Sequence, residues 1–427
     1  MERSVADIKE KLEKKEAVVM TAQEVSELVG RKENIGTMDV DVVTTATRAI
    51  MSGTYAVLSF PVNSPLSFKR ASKVLLNGVL AHVGPCSNES LEMLDLIVFG
   101  TAHSSQKHSY GAGHLFREMV EGKDIEVSVV TDENVSFKSE IKLKDMPYAK
   151  LYATRHTFKN YAAFVNCSTK PINTIFHATQ FSPDMNGATL SGCGEINPIQ
   201  NDPEMQTIGI GTRILMNGAE GFVIGEGTRS SPEKPNLAGV ADMHDMDPAL
   251  MGGFKTSAGP ECIASWAIAI PVTSQSVLDA VLKTDLDIPM VINEVDKRVI
   301  IGSSTYADAW KNTDLAVSFD PDLCLNCEVC KPTRDCPMEA IYHQNDKLML
   351  NRYLCFNCGL CSTLCPGRVF TANLGSLHFE KETEQLNIPI VLRQSDRKRS
   401  EELAEKLKEK VMNGEFKLNE MVEKIQP

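Results

Sequence analysis

Residues 324–337 read CLNCEVCKPTRDCP, and residues 355–366 read CFNCGLCSTLCP. Each stretch has three cysteines at intervals of two residues, followed by a fourth cysteine and a proline. A tight loop with this spacing brings three thiolates to one iron–sulfur cubane, and in two-cluster ferredoxins the fourth ligand comes from the other stretch. The spacing therefore predicts two [4Fe–4S] clusters. We assign one cluster to Cys324, Cys327, Cys330 and Cys365, and the other to Cys355, Cys358, Cys361 and Cys336.

The alternative for these cysteines is a pair of zinc sites, which also use Cys-x2-Cys pairs. Zinc needs four thiolates in a closed tetrahedron, and a third cysteine at the same interval, present twice, has no purpose there. The pattern favours iron–sulfur clusters. Five residues instead of the usual three precede Cys336, so residues 331–335 contain a two-residue insertion that alters the geometry of that half.

Composition limits what the rest of the chain can do. The chain has 427 residues, of which 42% are hydrophobic and 23% charged, as in a soluble globular protein of roughly two to three domains. Its net charge of -12 argues against a nucleic-acid binder that works by neutralising phosphates. No apolar run reaches the roughly 20 residues of a membrane helix, and residues 1–16 do not resemble a signal peptide. We expect a cytoplasmic protein with neither nucleic acid nor membrane as a partner.

The segment before the clustered cysteines alternates strand-like and helix-like patterns. Thr21 and Glu24 form a capping box ahead of an apolar helix, Asn77-Gly78 is a hairpin signal, and residues 115–120 read as a helix. Apolar or alternating runs predict strands at residues 40–46, 55–60, 91–99, 125–130, 208–216 and 221–224. The alternation predicts an α/β or α+β domain with long functional loops.

The composition changes near Asp314, where cysteine, proline and asparagine begin to interrupt short pieces of chain. A strand is predicted at residues 388–393, and an amphipathic helix at residues 400–413 that ends at Gly414. We therefore predict three parts: a catalytic domain at residues 1–312, an inserted two-cluster ferredoxin-like domain at residues 313–372, and a C-terminal tail with a strand and helices at residues 373–427, which packs back on the large domain.

Two cysteines outside the clusters are candidates for catalysis. Cys193 is flanked by Gly192 and Gly194 and is followed by Glu195. Backbone N–H groups at glycines can approach a thiolate or an oxyanion, and a neighbouring carboxylate can move a proton. Cys86 lies on a predicted turn. The alternative for each is a loop cysteine without a role.

Two similar loops suggest anion binding. Residues 207–213 read TIGIGTR and residues 225–229 read GEGTR. Free backbone N–H groups together with a guanidinium suit a carboxylate or a phosphate, so Arg213 and Arg229 are candidate substrate clamps. Simple tight turns are the alternative.

His114 is a further candidate, because it closes a glycine-containing segment, HSYGAGH, at residues 108–114. An imidazole there can act as a general acid or base or as a ligand. The alternative is a hydrogen-bonded structural histidine.

Several motifs together carry a family resemblance. They are TTAT at residues 44–47, YGAGH at 110–114, SGCGE at 191–195, NDP at 201–203, the loops at 207–213 and 225–229, and IPIVLRQSD at 388–396. These motifs resemble the homocysteine-biosynthesis family of methanogenic archaea, which includes L-aspartate semialdehyde sulfurtransferase. The resemblance spans roughly residues 5–312 and the tail. With two ferredoxin motifs before the tail, the whole chain is similar to the predicted metalloproteins called methanogenesis marker protein 16.

The resemblance implies reductive sulfur insertion, in which a cysteine persulfide delivers sulfur to an aldehyde and a ferredoxin-type partner supplies electrons to give homocysteine. The fused clusters would supply those electrons within the same chain. The sulfurtransferase branch is expected to have cysteines after the Thr-Thr strand and after a Thr-Asp pair. Here residues 51–54 read MSGT and residues 131–134 read TDEN. A persulfide would therefore have to form on Cys193 or Cys86.

We predict an iron–sulfur oxidoreductase of methanogen metabolism that transfers sulfur reductively to a small anionic substrate. A redox donor protein or a low-potential reductant would feed its two [4Fe–4S] clusters. The predicted roles are nucleophile for Cys193 and Cys86, proton transfer for Glu195 and His114, and substrate clamping for Arg213 and Arg229. The alternative is an electron-transfer or maturation protein that feeds a methanogenesis metalloenzyme without turnover of its own.

Overall fold

The computed structural model describes residues 3–63, 68–84, 92–381 and 383–426, and strands predominate in them. The strands are β1 (Val19–Thr21), β2 (Val42–Ile50), β3 (Gly53–Pro61), β4 (Ala71–Leu76), β5 (Val79–Val83), β6 (Met93–Phe99), β7 (Ile125–Thr131), β8 (Ser136–Ile141), β9 (Tyr148–His156), β10 (Ala162–Val165), β11 (Ala188–Ser191), β12 (Arg213–Met216), β13 (Ala219–Glu226), β14 (Leu237–Asp242), β15 (Gly252–Thr256), β16 (Gly259–Pro271), β17 (Pro289–Glu294), β18 (Ile300–Thr305), β19 (Ser318–Phe319), β20 (Ile341–Gln344), β21 (Lys347–Leu350), β22 (Phe370–Thr371), β23 (Ser376–Lys381) and β24 (Glu384–Arg393). The helices are α1 (Val5–Glu13), α2 (Ala22–Gly30), α3 (Ala112–Val120), α4 (Pro198–Asn201), α5 (Gln275–Val281), α6 (Ala307–Trp310), α7 (Lys331–Asp335), α8 (Leu360–Leu364) and α9 (Arg397–Met412).

The larger of the two main sheets in the described residues has fourteen strands. Its order is β1-β2-β16-β12-β13-β14-β9-β3-β6-β5-β4-β7-β8, and β15 pairs with β16 beside this path. Every residue of β16 after the first is buried, as expected of a strand covered on both faces. Helix α3 packs on β15 and β16, and α9 packs on β2 and β16.

A second sheet combines four strands from the middle of the chain with two strands from its C-terminal part. Its order is β18-β17-β10-β11-β24-β23, and β24 runs parallel to β11, with Ala188 opposite Ile390. Residues 313–372 therefore lie in sequence between segments that share this sheet. Leu403 and Leu407 of α9 are buried in the same apolar cluster as Val42 of β2. The C-terminal strand and helix are thus part of the cores formed by the first three hundred residues.

Residues 313–372 contain only small elements. Two two-stranded ribbons, β19 with β22 and β20 with β21, accompany the short helices α7 and α8. Their apolar side chains, such as Ile341, Leu348 and Phe370, cluster with cysteines. The fold as a whole is mixed α/β, with large sheets and few helices, in agreement with the sequence pattern.

Two local predictions are confirmed in detail. The hydroxyl of Thr21 accepts a hydrogen bond from the N–H of Glu24 at 3.1 Å, and the Glu24 carboxylate accepts the N–H of Thr21 at 2.7 Å, which completes the capping box of α2. Asn77 and Gly78 have φ angles of 47° and 77° and connect β4 to β5 as a hairpin. The predicted helix at residues 115–120 lies within α3.

The predicted strand at residues 208–216 is wrong over its first part, because β12 begins only at Arg213. The Asp202 carboxylate accepts hydrogen bonds from the N–H groups of Thr207 and Ile208 at 2.8 and 3.0 Å, which holds this stretch as a loop. Helix α9 begins earlier than predicted, because Asp396 caps it by accepting the N–H of Arg399. Residue 91, where another strand was predicted to begin, lies outside the described residues, and β6 begins at Met93.

Within the described parts of the chain, no helix has both the length and the apolar character needed to cross a lipid bilayer.

Candidate functional site

Four cysteines surround a small, mostly apolar cavity, and we call them the inner quartet. They are Cys336, Cys355, Cys358 and Cys361. Cys336 directly follows α7, which contains the inserted residues, and Cys361 lies on α8. Gly359, at φ 80°, precedes α8, and a Cβ there would lie only 2.5 Å from Leu374 Cδ2, so the turn between Cys358 and Cys361 requires glycine.

The remaining four clustered cysteines surround a separate cavity of about 420 Å³, and we call them the outer quartet. They are Cys324, Cys327, Cys330 and Cys365. The hydroxyl of Thr333 donates a hydrogen bond to Cys330 Sγ at 3.2 Å. The cysteines of each quartet are those that the sequence assigned to one cluster, and their role as ligands stays a prediction.

The donor chemistry of both quartets suits iron–sulfur clusters, which are held by four cysteine thiolates. In the described residues, no three His, Cys, Asp or Glu side chains are close enough together to bind a single metal ion. Burial raises the pKa of Cys336, Cys355, Cys358 and Cys361. Thiolates in such surroundings need a nearby cation, and the iron of a cluster supplies that charge.

Cys193 is fully buried in a polar contact network. The hydroxyl of Thr47 donates to its Sγ at 3.6 Å, and the Ser400 hydroxyl lies 3.5 Å from it. Burial raises the pKa of the Cys193 thiol, even though these contacts and the positive charge of Arg397 act to lower it. Gly192 next to it has φ 128°, and a Cβ there would collide with the phenol of Tyr306.

In the part of the chain that the structure describes, no side-chain contact joins Glu195 to Cys193. Its carboxylate accepts a hydrogen bond from Arg397 Nη2 at 2.6 Å and another from the N–H of Asp285 at 2.8 Å. Arg397 also pairs with Asp285 at 2.5 Å. Glu195 thus belongs to a largely buried ion-pair network that holds the Cys193 loop against α9, and its predicted proton transfer stays a prediction.

His114 lies in a different part of the fold. Its Nδ1 accepts the N–H of Gly111 at 3.2 Å at the start of α3, and its ring stacks on Tyr110. Burial and then the charges of Arg117 and Lys107 lower its pKa to about 3, so the imidazole is neutral. None of these neighbours contacts Cys193, so the structure does not bring the two candidates together.

The two predicted arginine clamps face elsewhere. Arg213 pairs with Glu220 at 3.7 Å and lies over the ring of Phe222. Arg229 has φ 59° in the turn after β13. Neither lines the cavity where the two sheets meet, and their anion binding stays a prediction. Cys86 lies outside the described residues.

A cavity of about 170 Å³ lies where the two sheets meet, and sequence analysis did not identify it. Part of its wall is the loop at residues 51–53, where the family resemblance leads one to expect a cysteine. Other lining residues are Thr47, Arg155, Phe158, Asn160, Gly192 and Gln394. The missing cysteine and three family motifs, at residues 44–47, 191–195 and 388–396, are the sequence signals that lie in its wall. Arg155 carried no signal, because it reads as an ordinary strand residue.

A buried relay holds this loop in place. The indole N–H of Trp266 donates to His156 Nδ1 at 2.9 Å, so the other ring nitrogen, Nε2, faces the Thr54 hydroxyl at 2.8 Å. Thr54 in turn donates to the carbonyl of Met51 at 2.8 Å. Burial lowers the pKa of His156 to about 3, which keeps the ring neutral. The relay therefore fixes the cavity wall rather than carrying a charge.

Ser52, in the same loop, donates a hydrogen bond to the carboxyl group of Glu261. Burial alone raises the pKa of Glu261 to about 7. A carboxyl group with that pKa exchanges a proton near neutral pH, which is a property of general acids and bases. Ser52 lines the cavity, and Glu261 lies behind it, outside the lining.

The cavity and the inner quartet share a wall. Ile50 lines the cavity and packs in the apolar cluster that contains Cys358. Arg48 Nη1 donates to Asp396 at 2.7 Å, and Asn357, inside the inner cysteine motif, donates to the same carboxylate at 3.2 Å. The carbonyl of Cys358 accepts the N–H of Arg393 at 2.9 Å, one residue before the cavity-lining Gln394.

Proteins of three kinds are similar to this chain. An uncharacterized protein of Methanothermobacter thermautotrophicus is 41% identical over 417 residues, which cover 97% of this chain and 94% of that protein. L-aspartate semialdehyde sulfurtransferase of Methanosarcina acetivorans is 31% identical over 307 residues, 67% of this chain and 58% of that enzyme.

A short match of another kind is to an uncharacterized ferredoxin of Methanocaldococcus jannaschii, which is 36% identical over 53 residues, 12% of this chain and 86% of the ferredoxin. It agrees with the ferredoxin-like spacing of the clustered cysteines. No solved structure matches significantly. The profile of one family, described as homocysteine biosynthesis enzyme, sulfur-incorporation, matches residues 17–418. The chain belongs to this family of sulfur-incorporating homocysteine biosynthesis enzymes.

Proposed function

We propose that the protein is an iron–sulfur oxidoreductase of methanogen metabolism that transfers sulfur reductively to a small anionic substrate. The observation that carries this proposal is the wall shared by the inner quartet and the cavity, through Ile50 and the Arg48–Asp396–Asn357 contacts. A cysteine-rich segment of ferredoxin type packed behind the wall of a substrate-sized cavity suits a redox reaction in that cavity.

The proposed organisation follows from the chain order. Residues 1–312 and 373–427 form the catalytic body, and residues 313–372 form an inserted module that holds two [4Fe–4S] clusters on the inner and outer quartets. Clusters held by these cysteines would supply electrons one at a time. We further propose a cytoplasmic location and a low-potential redox protein as the donor.

Cys193 is the proposed sulfur carrier. Among the described cysteines outside the quartets, its thiol is the one hydrogen-bonded to a cavity-lining side chain, that of Thr47. The outer sulfur of a Cys193 persulfide would come from a persulfide or polysulfide donor, because sulfide alone would need a two-electron oxidant. Reduction of that persulfide with two electrons and two protons would give the thiol and hydrogen sulfide. Addition of the sulfide to a carbonyl group of the substrate with loss of water, followed by a second reduction with two electrons and two protons, would give the thiol product. Because the thiol is fully buried, residues 192–194 have to open before sulfur can pass into the cavity.

The same burial supports a second candidate function. A fully buried thiol with a raised pKa is a poor nucleophile. If Cys193 stays closed, the protein transfers electrons to another metalloenzyme, or helps to mature it, without turning over a substrate.

Substitution of the two candidate cysteines separates these functions. Protein reconstituted anaerobically with iron and sulfide is incubated with radiolabelled sulfide under mild oxidation, and the labelled cysteine is mapped by mass spectrometry. We expect label on Cys193 in the native protein and its loss in Cys193→Ser, with Cys86→Ser as the second test and Cys167→Ser as the control. The double variant Cys193→Ser, Cys86→Ser should neither take up label nor transfer sulfur. If it still does both, neither cysteine is the sulfur carrier. The second function, electron transfer to another metalloenzyme or its maturation, is favoured by two results together. The double variant still transfers electrons to a dye, and the native protein turns over no substrate.

A further inference from the structure

The cavity contains an uncompensated positive charge. Arg155 is the only cation among the described residues that line it, and none of them is acidic. Within the described parts of the chain, the Arg155 guanidinium takes part in no hydrogen bond or ion pair, and its Nε is buried without a partner. Its one side-chain contact of note is the ring of Phe158, 5.1 Å from the guanidinium carbon. A partly buried arginine without an anion is unusual, since such groups are normally paired.

The backbone makes room for this arrangement. Gly53 of β3 lies opposite Arg155 of β9, where the pairing shifts register. A Cβ on Gly53 would lie 2.8 Å from Arg155 Cβ, so any other residue there would push the strand or the arginine aside. Because Gly53 also lines the cavity, the two residues together form one corner of it.

Several other polar groups of the cavity are already hydrogen-bonded within the protein. Asn160 bonds through both ends of its amide to the backbone of Gly194, at 2.8 and 2.9 Å. Gln394 donates to the carbonyl of Ile175 at 2.6 Å, and the Ser395 hydroxyl accepts the N–H of Gly192 at 2.8 Å. These side chains shape the wall. Arg155 remains the charged group free to bind a ligand.

We propose that Arg155 binds the carboxylate of a small carboxylic acid in this cavity. Resting on a ring leaves the edge of a guanidinium free for two parallel N–H···O bonds, the geometry in which arginine recognises carboxylates. A cavity of about 170 Å³ suits a molecule of a few carbons rather than a nucleotide. This inference rests on the proposed function, because it names the residue that would recognise the anionic substrate, in place of Arg213 or Arg229.

Isothermal titration calorimetry on the full-length, anaerobically reconstituted protein tests this site directly. The probes are succinate and propionate, with the uncharged succinamide as the matched control ligand. We expect the native protein to bind at least one of the two acids and not succinamide. Arg155→Gln should weaken binding by about tenfold or more, as expected for loss of a charge-assisted pair, and Arg155→Lys should restore part of it.

The control variant is Arg298→Gln, which removes an arginine that also lies over a cavity-lining ring, that of Phe176, but is not itself in the lining. It should bind the acid like the native protein. Thermal unfolding monitored by circular dichroism shows whether each variant is folded. If Arg155→Gln is not folded, the binding affinity of Arg155→Lys is compared with that of the native protein instead.

Three results would overturn the inference: no binding of either acid to the native protein, native-like binding by folded Arg155→Gln, or loss of binding in Arg213→Gln or Arg229→Gln while Arg155→Gln still binds. The result is separable from that for the proposed function. If the acid binds through Arg155 but no persulfide forms, the carboxylate site is supported and the proposed sulfur transfer is contradicted. If Arg155→Gln transfers sulfur with an unchanged KM for its substrate, sulfur transfer is supported and the carboxylate site is contradicted.

Discussion

The inner and outer quartets have nearly the same cysteine spacing but different surroundings. Cys358 of the inner quartet is 8% exposed and packs against apolar side chains of the body, including Phe254 and Leu392. In the outer quartet Cys327 is exposed, and its neighbours Leu325 and Val329 are 64% and 58% exposed. The same motif is therefore buried on one side and open to solvent on the other.

Combined with the proposed function, this difference implies a direction for electron transfer. A donor protein can approach the outer quartet, whereas the inner quartet lies against the cavity wall. Under the proposed function, electrons arrive on the outer side and are used on the inner side. Each of the following predictions pairs a change on the inner side with a matched change elsewhere.

The largest effect is expected from removal of an inner cysteine. Cys358→Ser should lower the iron content from about eight to about four atoms per chain. It should also destabilise the body by an amount on the order of 10 kcal/mol, because binding of a structural metal centre is coupled to folding. Cys327→Ser should lose as much iron but leave the body nearly as stable. Iron and sulfide assays measure the cluster content. The fluorescence of Trp266 and Trp310 during unfolding measures the stability. Equal destabilisation by the two variants would contradict the comparison.

The next largest effect concerns the buried ion pair beside the inner quartet. Arg48 and Asp396 are 1% and 0% exposed at their side chains, so Asp396→Ala leaves a buried guanidinium unpaired and should cost about 3–5 kcal/mol in the free energy of unfolding. In the same helix, Glu402 pairs with Lys398 at 3.5 Å, with both side chains about half exposed. Glu402→Ala should cost about 0.5 kcal/mol or less. Denaturant titration distinguishes the two, and a cost below about 1 kcal/mol for Asp396→Ala would show that the pair is not buried as described.

A pH effect of intermediate size is expected at the cavity. Burial raises the pKa of Glu261 from its ordinary 4.5 to about 7, and its titrating neighbour is the buried Cys262. The folded protein then holds a proton that the unfolded chain releases, so stability is full below pH 4.5 and declines as the pH rises to about 7, by at most about 3 kcal/mol. Glu261→Gln should remove that decline, and the exposed Glu328→Gln should not. The free energy of unfolding of each variant, measured at pH 5 and at pH 8, shows whether the decline is present. A decline that survives in Glu261→Gln would exclude this residue as its origin.

The smallest effect on stability is expected at the outer surface. Leu325→Asp changes an exposed side chain and should alter the free energy of unfolding by less than about 0.5 kcal/mol. It should nevertheless slow reduction of the protein by a reduced ferredoxin severalfold and leave reduction by dithionite unchanged. Met38→Asp, at another exposed apolar residue in the N-terminal region, is the control. Stopped-flow absorbance follows both reactions. Equal rates with ferredoxin for the two variants would remove the outer quartet as the docking side.

Local sequence signals predicted local structure well. The capping box at Thr21, the hairpin at Asn77-Gly78 and the helix at residues 115–120 all depend on interactions within a few residues, and all are present. The strand predicted at residues 208–216 failed because the carboxylate of Asp202, several residues away, holds the first half of it as a loop.

The candidate site was harder to predict for the same reason. Cys193 and Glu195 are two residues apart in sequence, yet Cys193 bonds to Thr47 and Ser400, while Glu195 bonds to Arg397. The flanking glycines predicted an exposed backbone whose N–H groups can approach a thiolate. In fact the positive φ angles of Gly192 and Gly194 let the loop pass under Tyr306 and Asp285, which buries the thiol.

The amino-acid sequence by itself determined the two sets of four cysteines and the family, because thiolate spacing and motif identity are properties of neighbouring residues. Only the tertiary structure decided which set of cysteines lies against the body. It also decided that Gly53 and Arg155, about a hundred positions apart, meet at one corner of a cavity. Strand register brings such residues together, and register depends on how the whole sheet buries its apolar faces, which no short segment encodes.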